Sequence, residues 1–239
     1  MKTISKDFNP SFTSHAYLLR HALLKGVTKY APQMKGGQLL DVGCGSKPYK
    51  SLFNVTRYVG IDIENPAHPH ANEQVDLFYD GLRLPSVDGY FDHVLMTEVF
   101  EHVFNPTELL KEINRALKPG GLFLLTVPFC ISEHEAPVDF GRYTCFGLSH
   151  ILRENGFEVV ALEKIGDSFQ AISCLIQAYI AIHITPQLKK IPIVGWAFDK
   201  ACGLIFNLSA LMLGKILPRG NELYMNNIVL CKKNITDGK

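Results

Sequence analysis

Excess charge of either sign is missing from this sequence. Its 239 residues carry 24 Lys and Arg against 23 Asp and Glu, a formal net charge of +1. A nucleic-acid-binding face needs a clustered basic excess, so no nucleic-acid partner is expected. Paired cysteines are missing too. Cys44, Cys130, Cys145, Cys174, Cys202 and Cys231 show no C-x-x-C spacing, which argues against a zinc or disulfide frame and reads as free thiols in a reducing compartment. Met1 to Asp7 lack the apolar stretch of a signal peptide, so the expected location is the cytoplasm. There is no internal repeat and no low-complexity tail beyond the last few residues. Two very apolar segments do occur, Ser168 to Ile184 and Trp196 to Leu217, but neither holds 18 residues free of polar interruption, so a membrane span is not expected.

What is present reads as one domain over residues 1–239, with a helical segment at 1–35 and an apolar helical insertion at 168–217. With 47% apolar residues the chain is long enough for a large core. Tyr17, Leu18, His21, Leu24, Val27 and Tyr30 recur at helical spacing within residues 13–30. Strands are expected at Gln38 to Val42, Arg57 to Ile63, Val75 to Tyr79, Phe91 to Met96, Leu122 to Val127, Phe157 to Ile165 and Leu223 to Lys232. Helices are expected at Pro106 to Leu117, with Asn105 as N-cap, and at Thr144 to Asn155, with Gly156 closing it. A short helix follows Pro48, and residues 64–74, polar with two prolines, read as loop. Strands alternating with helices imply an α/β fold with a mostly parallel sheet. In the insertion, Gln170, Ser173 and Gln177 share one narrow helical strip; Asp199, Gly203, Asn207, Ala210 and Gly214 form a second. The segment is expected to pack on the domain or in a homodimer, with a lid over an apolar substrate or a membrane-surface face as alternatives.

The run Leu39 to Gly45, Leu-Leu-Asp-Val-Gly-Cys-Gly, describes a buried strand ending in a tight turn. Glycines at Gly43 and Gly45 let the backbone turn and a ligand approach. Asp41, Asp62 and Asp80 fall at the ends of three successive strands, and Asp62 lies 19 residues beyond Gly43. That spacing suits a carboxylate accepting from ribose hydroxyls of an adenosine cofactor. Acids at strand ends also serve as plain helix caps, but three in register are harder to dismiss. A dinucleotide site wants a third glycine under the pyrophosphate. Here Ser46, Lys47 and Pro48 follow Gly45, so a cofactor without a pyrophosphate fits better and a nicotinamide dehydrogenase is disfavoured.

The ordered run LLDVGCGSKPY, YVGIDI, DGLRLP, FDHVLMTEVFEHV and LLKEINRALKPGGLFLLTVPF resembles the class I S-adenosylmethionine-dependent methyltransferases, most closely their type 11 subgroup. The likeness covers about residues 38–165, with the last strand fitting the family's final hairpin. It implies a Rossmann-like seven-stranded, mostly parallel sheet with helices on both faces, the last strand antiparallel, the apolar insertion lying before it. It implies S-adenosylmethionine as cofactor and S-adenosylhomocysteine as product. By position, Asp41, Gly43, Cys44 and Gly45 would lie along the methionine and ribose, Asp62 on the ribose hydroxyls, Ile63 against the adenine, Asp80 and Gly81 at the adenine amino group, and Thr97 and Glu98 near the methionine and the substrate mouth. Many members carry glycine where Lys47 stands here.

After the fifth strand comes a dense polar segment, Pro128 to Thr144. Loops at the carboxyl ends of parallel strands carry function. His134, Pro137, Asp139, Arg142 and Thr144 resemble a His-x-x-Pro-x-Asp-x-x-Arg-x-Thr pattern of type 11 relatives associated with surface-polysaccharide and lipid-linked glycan pathways. The bland use of the same residues is an Asp139–Arg142 pair that folds the loop, with Thr144 capping the next helix. A divalent ion is a further competing use, but no second cluster stands out in the sequence to complete its shell, so no metal is expected. For a hydroxyl acceptor His134 is the first candidate base, with Glu98 or Glu135 second. Phe129 and Tyr143 could wall the substrate pocket and Arg142 hold an anionic group. A helix would put Glu98 and His102 on one face, as an active-site edge or as a local polar pair. The expected activity is methyl transfer to a small or lipid-linked metabolite, such as a glycan or surface-polysaccharide precursor. A catalytically inactive cofactor-binding protein, its apolar insertion mediating assembly or membrane contact, is the alternative.

Overall fold

The computed structural model describes residues 4–64, 74–218 and 220–235. Seven strands form one sheet: β1 (Gln38–Val42), β2 (Arg57–Ile63), β3 (Leu77–Tyr79), β4 (Phe91–Thr97), β5 (Leu117–Pro128), β6 (Phe157–Ile165) and β7 (Asn226–Lys233). Their order is β3-β2-β1-β4-β5-β7-β6. The pairs β1·β2, β1·β4, β2·β3 and β4·β5 are parallel, and β7 runs antiparallel to both its neighbours. This is the Rossmann-like α/β sheet expected. The chain winds outward from β1 in one direction and returns at β4 to wind the other way. The switch point, where open α/β sheets bind ligands, therefore lies between the carboxyl ends of β1 and β4.

Helices cover both faces. Helix α2 (Pro106–Ala116) and α3 (Cys145–Glu154) lie on one side, burying Leu109, Leu110, Ile113, Leu148 and Leu152 against Val94, Phe123 and Phe157. On the other, α1 (Tyr17–Tyr30) buries Leu18, Leu23 and Val27 against Leu39, Leu95, Leu124 and Leu230. Each buried aliphatic side chain contributes about 1.5–3 kcal/mol relative to exposure. Strands covered on both faces are apolar throughout, which is why β1 and β4 were so readable.

The expected boundaries shift in instructive places. Helix α1 begins at Tyr17, not residue 13. Asn105 does not cap α2 through its side chain; its carbonyl accepts from Glu108 and Leu109 instead. Lys118-Pro119-Gly120-Gly121 ends α2 as expected but already belongs to β5, whose register with β4 slips between Phe91 and His93 to absorb it. Thr144 caps α3, its hydroxyl accepting from Gly147 N at 3.1 Å. After Pro48 there is one short 3-10 turn, Lys50–Leu52. The third strand and the last both start later than read. The loop expected over 64–74 lies, from 65 to 73, outside the described residues.

The insertion is a helical pair. Helix α4 (Ser168–Tyr179) continues through a π segment (Ile180–Ile184) into α5 (Thr185–Leu188), and α6 (Pro192–Ile216) returns. By length and composition alone both runs, Ser168–Leu188 and Ile193–Ile216, are apolar enough to cross a membrane. Their polar interruptions face inward: Gln177 Nε2 donates to Asn207 Oδ1 at 3.1 Å, and Asn207 Nδ2 donates to the carbonyls of Phe12 and Ser14. A side chain at Gly203 would stand 2.1 Å from the Thr13 carbonyl oxygen, so the N-terminal segment rests directly on α6. Large apolar residues point outward, among them Tyr179, Ile193, Trp196, Ile205 and Met212.

Candidate active site

The turn after β1 is held by the acids around it. Gly43 has φ +66°, and a Cβ there would stand 2.3 Å from Val99 Cγ2, so the turn and the segment after β4 close on each other across the switch point. Gly45 N donates to Asp62 Oδ2 at 2.8 Å, and Ile63 N donates to Asp62 Oδ1 at 2.8 Å. Cys44 is buried, its amide donating to the Ile61 carbonyl. Lys47 takes a glycine-like φ of +53°. Its ammonium reaches Asp76 at 2.6 Å, and Asp76 also accepts from Gly60 N. A left-handed lysine costs on the order of 1–3 kcal/mol.

Asp41 is 2% exposed and accepts from the Tyr58 hydroxyl at 2.5 Å. Burial pushes its carboxyl up to about 7, although Tyr58 and Lys47 pull it down. It thus fixes the strand end from below the turn. Asp80 accepts from Leu82 N and Arg83 N, and those bonds hold its carboxyl below the ordinary range. Gly81, at φ +77°, lies beside Ile63: a Cβ there would stand 3.4 Å from Ile63 Cγ2. Ile63 is itself exposed at the end of β2. A half-buried carboxylate, an apolar shelf and glycine backbone at one strand edge fit an adenosine with its ribose hydroxyls on Asp62. The close glycine backbone at Gly43 to Gly45 fits the amino-acid end of S-adenosylmethionine.

On the acceptor side, Thr97 ends β4 beside Thr126 of β5. Glu98 follows with φ +54°. Its carboxylate accepts from Thr126 Oγ1 at 2.8 Å and from Asn226 Nδ2 at 2.7 and 2.8 Å. Burial, and then the nearby Glu101 charge, push it up to about 7 against those two donors. Glu98 and His102 do not share a helix face; a 3-10 turn, Phe100–His102, separates them. That turn puts Glu101 fully inside and swings His102 toward the loop after β5. There His134 stacks edge-on with His102 at 4.8 Å between ring centroids. His134 Nε2 lies 3.7 Å from Glu101 Oε1 and its Nδ1 3.4 Å from Asp139 Oδ2. Glu101, first, and then Ser132 and Asp139 raise its pKa against the opposing effect of burial. Glu135, at φ +53°, stands at the rim with Oε2 3.9 Å from His102 Nε2.

Arg142 does not reach outward. It grips Asp139 with two bonds, 2.5 and 2.6 Å, and donates to the Gly141 and Ser132 carbonyls. The pair holds the Asp139 carboxyl down at about 2 and folds the loop. Tyr143 packs on Phe100, and Phe129 stacks on Tyr224 at 4.3 Å.

The fold is that of the class I S-adenosylmethionine-dependent methyltransferases. The chain belongs to the family of the methyltransferase domain, whose model matches residues 15–162. It is 27% identical over 143 residues to a probable S-adenosylmethionine-dependent methyltransferase of Mycolicibacterium smegmatis, covering 55% of this chain and 56% of that one. It is 36% identical over 102 residues to a ubiquinone biosynthesis O-methyltransferase of Caulobacter vibrioides, covering 38% and 40%. The chain thus spans about half the length of the curated relatives it matches. Among solved structures, a [4+2]-cyclase, SpnF, aligns with TM-score 0.59 at 19% identity over 91% of this chain and 82% of that one. A Haemonchus contortus phosphoethanolamine N-methyltransferase in complex with S-adenosylmethionine aligns at 0.54 and 16%, over 98% and 61%. At such identities these two speak for the fold.

Sequence reading missed Glu101, Asn226 and Tyr58. Glu101 lies in a short turn after β4, and Asn226 sits in the last strand, 128 residues from the carboxylate it holds. No local pattern could have paired them.

Proposed function

We propose that the chain methylates a hydroxyl oxygen of a small or lipid-linked acceptor, such as a glycan or surface-polysaccharide precursor, at a membrane surface. The observation that carries the chemistry is Glu98. It sits where β4 meets the switch point, is raised toward neutrality, and is fixed by Thr126 and Asn226. A general base works best when its pKa is near the working pH and its geometry is preset. When bound, S-adenosylmethionine supplies an electrophilic methyl on a sulfonium, and the protein's part is orientation and exclusion of water. Asp62, Ile63, Asp80 and Gly81 would hold the adenosine, with Gly43, Cys44, Gly45 and Thr97 along the methionine. Glu98 would take the acceptor proton, while Phe129 and Tyr143 wall the acceptor pocket. Asp41 and Arg142 act one step back, setting the strand end and the loop.

The outward apolar face of the insertion supports the lipid part of this reading. Only 22% of each helical window is buried inside the protein, so these are not core helices. Four lysines (Lys189, Lys190, Lys200, Lys215) against one acid (Asp199) flank the face between residues 168 and 217. Apolar area edged with lysine suits an anionic lipid interface. The test is incubation of the purified chain with labelled S-adenosylmethionine and fractionated cell extract, read by mass spectrometry. Label in an ether of a lipid-linked species is expected. Label confined to water-soluble amines or carbon centres would refute the acceptor assignment.

A further inference from the structure

We propose that Glu101, His102 and His134 form a binding site for one divalent transition-metal ion, on the acceptor side of the cleft. Glu101 is 0% exposed, and neither carboxylate oxygen has a hydrogen-bond partner among the described residues. A bare buried carboxylate is costly, on the order of several kcal/mol, and calls for a cation. Two imidazole nitrogens face it: His102 Nε2 at 3.8 Å and His134 Nε2 at 3.7 Å from Oε1. Both distances are too long for hydrogen bonds.

The outer atoms of the two rings say which nitrogen is free to ligate. His102 Nδ1 meets the Val138 carbonyl at 2.8 Å, which only a protonated Nδ1 can satisfy. His134 Nδ1 faces the Asp139 carboxylate at 3.4 Å. With Nδ1–H turned to oxygen acceptors, both Nε2 lone pairs converge on the Glu101 side. Oxygen acceptors behind ligating histidines orient and strengthen them in metal sites. The three donor atoms lie within 4.8 Å of one another. Metal bonds of about 2.0–2.2 Å put ligand atoms roughly 3.3–3.6 Å apart, so small side-chain rotations would close the shell. Two histidines and a carboxylate suit Zn²⁺, Mn²⁺ or Fe²⁺ better than Mg²⁺ or Ca²⁺. Glu101 and His102 form the floor, while His134 is 33% exposed and Glu135 stands at the rim. The open side of the ion therefore faces the cleft, where an acceptor oxygen would complete its coordination. This last role rests on the proposed hydroxyl acceptor; the ion site itself does not.

The test uses the full chain treated with chelator, then titrated with Zn²⁺ and Mn²⁺ by calorimetry and with Co²⁺ by visible absorption. One ion per chain is expected, with ligand-field bands for Co²⁺. Glu101→Gln and His134→Ala should each weaken binding at least about tenfold. No stoichiometric ion, or variants that bind as tightly as the parent, would overturn the proposal. S-adenosylhomocysteine binding is measured on the same samples: retained without metal binding, it leaves the methyltransferase assignment standing and removes only the ion. Should Glu101→Gln fail to fold, His134→Ala, a change in a partly exposed loop, decides alone.

Discussion

Three non-glycine residues among those described take left-handed backbone: Lys47, Glu98 and Glu135. All three line the carboxyl edge of the sheet. Such strain persists where surrounding contacts over-determine it, and it marks functional edges more often than inert ones. Glu98 is the sharpest case. Replacing it with Gln keeps its shape and an amide oxygen for Thr126 but removes the base. The expected result is a loss of about 10²–10⁴-fold in kcat with little change in the KM for S-adenosylmethionine; a change confined to KM would make Glu98 a binding residue. Asp41 gives a pH prediction. Its folded pKa, about 7, lies above the ordinary carboxylate value, so the fold favours the protonated form. The stabilising contribution is fully present below about pH 4 and is lost as pH rises through about 7. Denaturant unfolding of the cofactor-free protein should therefore show a stability decline over that window, and Asp41→Asn, which still accepts from Tyr58, should flatten part of it. An unchanged profile in the variant would place the titration elsewhere.

At the scale of elements, the strands around the switch point were plain in the sequence. β1, β2 and β6 are found where read, to the residue: β1 is buried along nearly its whole length and reads as an apolar run, while β2 and the edge strand β6 are bounded by turn residues on both sides. The cofactor half of the site was readable for the same reason, since its residues follow directly on those strand ends. The acceptor half was not. Glu101, His102 and His134 meet through a 3-10 turn and a loop, and Arg142 turns inward to Asp139 because a bidentate pair outweighs exposure there. The insertion shows the other limit. The two strips carrying Gln177 and Asn207 are legible in the sequence, but periodicity does not say which face is inner. Hydrogen bonds to the Phe12 and Ser14 carbonyls decide it. Gly203→Val should push residues 11–14 off α6, costing about 1–3 kcal/mol and exposing the N-terminal segment to proteolysis. Unaltered unfolding and cleavage would contradict this packing.

As a whole, the molecule gathers polar side chains at the carboxyl edge of the sheet and carries an apolar helical pair with its large side chains turned outward. The protein's single tryptophan, Trp196, lies on that outward face and is 65% exposed. Binding to anionic vesicles should shift its fluorescence to shorter wavelength, and added salt should weaken the effect through the flanking lysines. A lack of vesicle binding together with a stable dimer in sedimentation would assign the face to a second copy instead.

The turn Gly43 to Gly45 with Asp62 behind it would form the cofactor half of a methyltransferase site. Calorimetric titration of the full chain with S-adenosylhomocysteine and with NAD, repeated on Asp62→Ala, tests it most directly. One S-adenosylhomocysteine per chain, no NAD, and at least about a tenfold loss of affinity in the variant are expected, the removal of a charged hydrogen-bond partner being worth about 1.5–3 kcal/mol. Binding of NAD alone, or Asp62→Ala binding S-adenosylhomocysteine as tightly as the parent, would contradict it.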